Sequence, residues 1–197
     1  MGLIRAFIAI PLPTALKRQI ETETESLRTQ IDSRAVRWVA PQNIHITLKF
    51  LGDTEENRLK KLEKLLAEAM VEFSPFHLAV GGLGVYPHKG RPNVIWLGVE
   101  KNKNLLELQK RIEGLASQIG SVPERRRFSA HLTLGRVKRS GHHEKARIQI
   151  RQAIEASPQV DFGRIRVDAV HLFQSELTPQ GAKYRSLFKA KLGDFFE

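Results

Sequence analysis

Asn43-Ile44-His45-Ile46-Thr47-Leu48-Lys49-Phe50 decides how this chain is read, because Ser129-Ala130-His131-Leu132-Thr133-Leu134-Gly135-Arg136 repeats its pattern. Both stretches alternate polar and apolar residues, the period of a strand with one face buried. Successive strand side chains point to opposite faces, so His45 and Thr47 share one face while Ile44, Ile46 and Leu48 share the other. His131 and Thr133 stand in the same relation to Leu132 and Leu134. Each strand would show an imidazole and a hydroxyl on its exposed face. The pattern alone leaves two readings open: strand histidines satisfied by local hydrogen bonds, or a histidine pair for acid–base chemistry.

Around the first motif, residues 3–10 read as a buried strand. Pro11-Leu12-Pro13 ends it, since proline cannot donate to a ladder. Thr14 is placed to cap a helix to about Ile31, with Leu16, Ile20, Leu27 and Ile31 on one stripe and Thr24 interrupting it. Val36–Val39 reads as a short strand and Pro41-Gln42-Asn43 as a turn. The motif strand runs to Leu51 and Gly52 breaks it. Asp53, with Glu56 three residues on, forms a capping box for a helix whose stripe is Leu59, Leu62, Leu65, Leu66, Ala69 and Met70.

Phe76–Val80 reads as a strand. Gly81, Gly82 and Gly84 read as a bend, because no Lys-Ser/Thr follows to make a phosphate-binding loop. Tyr86–Pro92 is a basic hairpin loop and Val94–Val99 a buried strand. Leu105, Leu108, Ile112, Leu115 and Ile119 mark another amphipathic helix. Beyond the second motif come a polar loop (138–143), a helix (144–156), a strand (164–173), a turn (175–182) and a last strand (184–190).

Each motif therefore lies between two amphipathic helices, as an internal duplication would place it. Short strands with helices on one side define an α+β class. The expected architecture is bilobal: two pseudo-symmetric lobes of antiparallel sheet, helices outside, and a central cleft carrying both motifs. No linker-like stretch divides the chain, so residues 1–197 are taken as a single bilobal domain.

Composition narrows the function. Hydrophobic residues make up 41% and charged residues 27% of the 197 residues, which reads as globular rather than disordered. No apolar run approaches a membrane span. Met1–Phe7 lacks the layout of a signal peptide, and Ala6 stands where myristoylation needs Ser or Thr. The absence of cysteine excludes disulfides, thiol nucleophiles and Cys-ligated zinc, and fits a cytoplasmic protein. The net charge of +11 favours a polyanionic partner, nucleic acid first among them.

In the acid–base reading, one histidine takes a proton from a nucleophile while the other gives one to a leaving group, each worth roughly 10²–10⁴ in rate. Thr47 and Thr133 can donate hydrogen bonds to phosphate oxygens. Arg136 can neutralise the developing charge. On strict alternation it points away from His131, so that role needs a bulge or the strand's end around Gly135. His142-His143 has no third ligand at a metal-binding spacing, and His171 reads as structural. Arg125-Arg126-Arg127 is open between a solvated turn and a gatherer of RNA phosphates.

Further stretches carry a family resemblance: Arg5-Ala6-Phe7-Ile8-Ala9-Ile10, Arg37-Trp38-Val39, Arg91–Gly98 and Phe173–Tyr184. Together with both motifs they resemble the 2H phosphoesterase superfamily, and within it the RNA 2′,3′-cyclic phosphodiesterase (2′-5′ RNA ligase) family. Asn93 departs from that pattern, where a basic residue is common. The resemblance implies an enzyme of the bilobal α+β fold that hydrolyses a terminal RNA 2′,3′-cyclic phosphate to a 2′-phosphate. It implies that His45 protonates the 3′ leaving oxygen, that His131 activates water, and that Thr47, Thr133 and Arg136 hold the phosphate. It implies no metal or nucleotide cofactor, and it allows the reverse, ATP-independent 2′-5′ joining. The expected partner is RNA with a cyclic-phosphate end, tRNA fragments among the candidates; a cytoplasmic monomer is expected. The alternatives are a non-catalytic RNA- or nucleotide-binding module on the same fold, and a phosphodiesterase of small cyclic nucleotides.

Overall fold

The structure, a computed structural model of the chain, describes residues 2–32, 34–138, 144–157, 160–179 and 181–193. Along the chain lie β1 (Leu3–Pro11), α1 (Thr14–Gln30), β2 (Val36–Trp38), a 3₁₀ turn (Pro41–Asn43), β3 (His45–Glu55), α2 (Glu56–Met70), β4 (Phe76–Tyr86) and β5 (Val94–Val99). They are followed by α3 (Lys103–Ser117), β6 (His131–Val137), α4 (Glu144–Ala156), β7 (Asp161–Val167), β8 (Ala169–Thr178) and β9 (Gly181–Lys191).

The strands form one antiparallel sheet in the order β7-β4-β5-β6-β3-β1-β8-β9, with β2 added against β6. The two motif strands are neighbours, but they join through a single pair, Ile46 opposite Leu132. Full ladders run outward on both sides, β3 to β1 and β6 to β5. The sheet therefore opens at its centre into two halves, and the α+β, two-lobed architecture with a central cleft is the one expected.

Alternation decides which face is buried. Ile8, Ile46, Leu97 and Leu132 lie on the helix side and are fully buried. The helices meet them with Leu16, Ile20 and Leu27 on α1, Leu59, Leu62 and Leu66 on α2, and Leu105, Leu108 and Ile112 on α3. Each such side chain contributes about 1.5–3 kcal/mol by leaving water.

The halves exchange helices. α1 follows β1 but packs on α4 and β7, in the other half of the sheet, while α3 follows β5 and packs on β3 and α2. α2 and α4 stay with their own halves, on β3 and β9 and on β4. The exchange is sealed at Lys49, whose buried ammonium pairs with Glu113 on α3 and donates to the Val122 carbonyl at 2.7 Å.

Local differences from the sequence reading have specific causes. Thr14 is the first helical residue of α1, after Pro13, and no side chain caps that end. Thr24 does not interrupt the stripe: it is buried on it, its hydroxyl bonded to the Ile20 carbonyl at 2.7 Å. Gly52 does not end the first motif strand. At φ +71° it carries the chain through an irregularity, and β3 continues to Glu55 opposite Leu3, so Asp53 lies in the strand rather than capping α2. Gly82, at φ +70°, does the same for β4, which runs on to Tyr86. The single strand expected at 164–173 is two, β7 on β4 and β8 on β1, at opposite ends of the sheet. Both pieces alternate, so periodicity cannot show that they part at Asp168. The turn expected at 175–182 is narrower, as β8 and β9 pair out to Thr178 opposite Gly181. His142 and His143 lie outside the described residues.

Candidate active site

His45 and His131 begin β3 and β6 and are held in the same way. The Nδ1 of His45 lies 2.7 Å from the Asn43 carbonyl oxygen, and that of His131 lies 2.8 Å from the Ser129 carbonyl oxygen. A carbonyl only accepts, so each Nδ1 carries the hydrogen and each Nε2 is left to exchange protons. The residue two before each histidine is itself pinned. Asn43 donates through Nδ2 to the Ala182 carbonyl at 2.6 Å, and the Ser129 hydroxyl bonds the Tyr86 hydroxyl at 2.9 Å. The same clamp is thus repeated in both motifs.

Thr47 and Thr133 share the cleft face with the histidines; both are half-buried between buried leucines and isoleucines. Arg136 joins them through a bulge. Between β5 and β6 the pairing steps from Trp96–Thr133 to Ile95–Gly135, leaving Leu134 without a counterpart. Leu134 and Gly135 are consecutively buried, the alternation shifts by one, and Arg136 emerges exposed on the side of Thr133. Its charge acts on both His45 and Tyr184. Of the two routes the sequence left open, a bulge or the strand's end, the structure takes the bulge, and β6 runs on to Val137.

The first motif has the same break. β3 steps from Thr47 opposite Ala9 to Lys49 opposite Ile8, with Leu48 extra. Phe50 thus stands to His45 as Arg136 stands to His131, and Phe50 is 63% exposed. The cleft is pseudo-symmetric in backbone, but at this equivalent position one wall carries the Phe50 ring and the other the Arg136 guanidinium.

Aromatic rings pack around both histidines. Phe7 stacks on His45 at 4.8 Å between centroids, and Tyr184 meets it edge-on at 5.4 Å. Tyr86 meets His131 edge-on at 5.4 Å and stacks on Trp96 at 5.0 Å. The Trp96 ring lies over Gly84, where any Cβ would sit 2.2 Å from it. Burial among these rings pushes the His45 pKa down to about 4; the bond to Asn43 opposes this, while Lys17, Arg136 and His131 reinforce it. His45 is therefore neutral at pH 7 in the free protein. Burial also raises the Tyr184 pKa.

Of the other residues considered from sequence, His171 stacks on Phe173 and bonds the Ser186 hydroxyl at 3.0 Å, within the aromatic row of the same wall. Arg125, Arg126 and Arg127 are exposed in the segment before β6. Lys17, Phe7, Tyr86 and Tyr184 escaped the motif reading because they reach the site from other strands and from α1. Among the described residues, no group of three or more His, Asp or Glu side chains is placed to hold a metal ion.

Comparison with known proteins places this arrangement in a class. A family model described as LigT-like phosphoesterase matches residues 10–96 and again 97–184, one copy for each motif. The chain belongs to that family, the LigT-like 2H phosphoesterases. It is 33% identical over 184 residues to an RNA 2′,3′-cyclic phosphodiesterase of Methanothermobacter thermautotrophicus, covering 93% of this chain and 96% of that protein. It is 31% identical over 196 residues to the protein of that name from Aquifex aeolicus, covering 98% of this chain and all of the other. The crystal structure of the Thermus thermophilus protein TT0787 superposes with a TM-score of 0.76 at 26% identity, covering 96% and 99% of the two chains.

Proposed function

We propose that this protein hydrolyses the 2′,3′-cyclic phosphate at the end of an RNA to a 2′-phosphate by two-histidine acid–base catalysis. The observation that carries the reading is the mirrored clamp: two imidazoles, each with Nδ1 tied to a carbonyl, on one cleft face with Thr47, Thr133 and Arg136. The relatives that share nearly the whole chain bear the name of this activity.

His131 Nε2 takes a proton from water as its oxygen attacks phosphorus. The bond from phosphorus to the 3′ oxygen breaks, and that oxygen takes a proton from His45 Nε2. Thr47, Thr133 and Arg136 hold the non-bridging oxygens where charge builds. Because His45 is neutral in the free protein, its proton must come with the substrate. A bound phosphodiester puts a negative charge beside the cations that depress His45 and so favours the imidazolium. Run backwards with a 5′-hydroxyl in place of water, the same steps join two RNA ends through a 2′-5′ bond without ATP.

The whole chain acts as one bilobal unit in this reading, since α1 and α3 each cover the other half of the sheet. Among the described residues, no helix is long and apolar enough to cross a membrane. A cytoplasmic monomer acting on RNA fragments, those of tRNA included, fits the basic, cysteine-free chain. The test is incubation, with EDTA, of a short RNA ending in 2′,3′-cyclic phosphate. A 2′-phosphate product is expected. A 3′-phosphate would reverse the acid and base roles, and binding without turnover would leave only a binding module.

A further inference from the structure

Lys17 lies outside both motifs, in the first turn of α1, yet the fold delivers it to the site. β1 ends at Pro11, directly opposite His45, and α1 starts at Thr14. Its ammonium donates to the Gln42 carbonyl at 2.9 Å, in the 3₁₀ turn whose next residue, Asn43, orients His45. That bond uses one of three N–H donors. No carboxylate pairs with Lys17 among the described residues. An ammonium partly withdrawn from water without a counter-ion is disfavoured, and its pKa is lowered by burial accordingly. Among the cations that act on His45, Lys17 outweighs Arg136.

We propose that Lys17 is the second cation of the phosphate site, binding a phosphate oxygen from the His45 half of the cleft while Arg136 binds from the His131 half. The inference rests on the reading of the cleft as a phosphodiesterase site. It explains an asymmetry of the two motifs. The position equivalent to Arg136 in the first motif is Phe50, which brings no charge, so a cation on that side has to come from another element. Each half then supplies one cation, one from a strand and one from a helix. An arriving phosphate finds donors on both sides and supplies the anion that Lys17 lacks.

The test compares binding of one RNA ending either in 2′-phosphate or in plain hydroxyls. Lys17→Met is expected to weaken the phosphate-ended RNA about tenfold, the loss of one charge-assisted hydrogen bond. The hydroxyl-ended RNA should bind as before. For the phosphate-ended RNA, the slope of log affinity against log salt should shrink by about 0.7, one phosphate contact on a single strand. Lys17→Arg should restore both the affinity for the phosphate-ended RNA and its salt slope. If Lys17 only braces the 3₁₀ turn, Lys17→Met leaves the salt slope unchanged; that result, or equal loss for both RNAs, overturns the proposal. Turnover of cyclic-phosphate RNA by the unaltered protein is read in parallel. Its absence would count against the functional reading, whereas turnover with Lys17→Met binding unchanged would count against Lys17 alone.

Discussion

Gly135 and Val36 touch so closely that a Cβ on Gly135 would sit 2.7 Å from Val36 Cγ1 and 3.1 Å from Trp38 Cε3. β2 can pair with β6 only because position 135 has no side chain, and this is the residue that follows the bulge aiming Arg136 into the cleft. Gly135→Ala must push β2 away or undo the bulge. We expect it to cost about 1–3 kcal/mol of stability, the usual penalty of overpacking. We also expect it to reduce kcat/KM toward the level of Arg136→Ala, although Arg136 itself is unchanged. Denaturant unfolding and steady-state kinetics check both; wild-type activity in Gly135→Ala would show that the bulge does not position Arg136.

His45 gives a pH signature of known sign. Its pKa is about 4 in the folded chain, against about 6.5 unfolded, because burial among Phe7 and Tyr184 outweighs the Asn43 bond and Lys17, Arg136 and His131 add repulsion. As pH falls from 6.5 to 4 the unfolded chain binds the proton first, so stability is lost across that window. Between pH 7 and pH 5 the loss from this one group is at most about 2 kcal/mol. His45→Gln should flatten that part of the profile, measured as denaturant midpoints at the two pH values. In kinetics, the break in kcat/KM that belongs to His45 should lie near pH 4 and move up in Tyr184→Ala, which admits water to the ring.

Lys49 and Glu113 couple β3 to the exchanged helix α3, and the Glu113 carboxylate also accepts the Glu124 backbone N–H at 3.0 Å. Removing one member strands the other. Glu113→Gln or Lys49→Met should each cost about 3–5 kcal/mol. The double variant Lys49→Met/Glu113→Leu should recover much of it, because apolar replacements leave no buried charge. A double-mutant cycle from urea melts checks this; simple additivity would mean the pair is not coupled.

The two histidines should fail as a unit. His45→Ala and His131→Ala should each lower kcat by roughly 10²–10⁴, and the double variant should be little worse than either single one. EDTA should leave the wild-type rate unchanged, since the proton transfers and phosphate contacts described above use side chains only. Single-turnover assays on cyclic-phosphate RNA read both. Two fully active single variants would remove the histidines from the chemistry.

Much of this protein was legible in one dimension. α4 lies where its pattern places it, and α1, α2 and α3 lie within a few residues of theirs, because apolar spacing of three and four residues is a local property. His45, Thr47, His131 and Thr133 were legible for the same reason: alternation on a strand assigns a face without knowledge of the partner strand. That a bulge or a strand end was needed near Gly135 was also visible, as a contradiction between alternation and role. The ends of β3 and β4 were not, because Gly52 and Gly82 suit a bulge within a strand as well as a break, and only the neighbouring strand decides between them.

Local pattern was enough for the class of fold and for the face that each motif histidine shares with its threonine. Those depend on periodicity, on composition and on residue types within eight positions of one another. Long-range packing had to settle that β7 and β8 part to opposite ends of the sheet, that α1 and α3 trade halves, and that Phe7, Tyr184, Tyr86 and Lys17 close around the imidazoles. The pKa of His45 belongs with these: desolvation is a property of what surrounds a side chain in space, and here the surroundings come from β1, β9 and α1, not from the motif that carries the histidine.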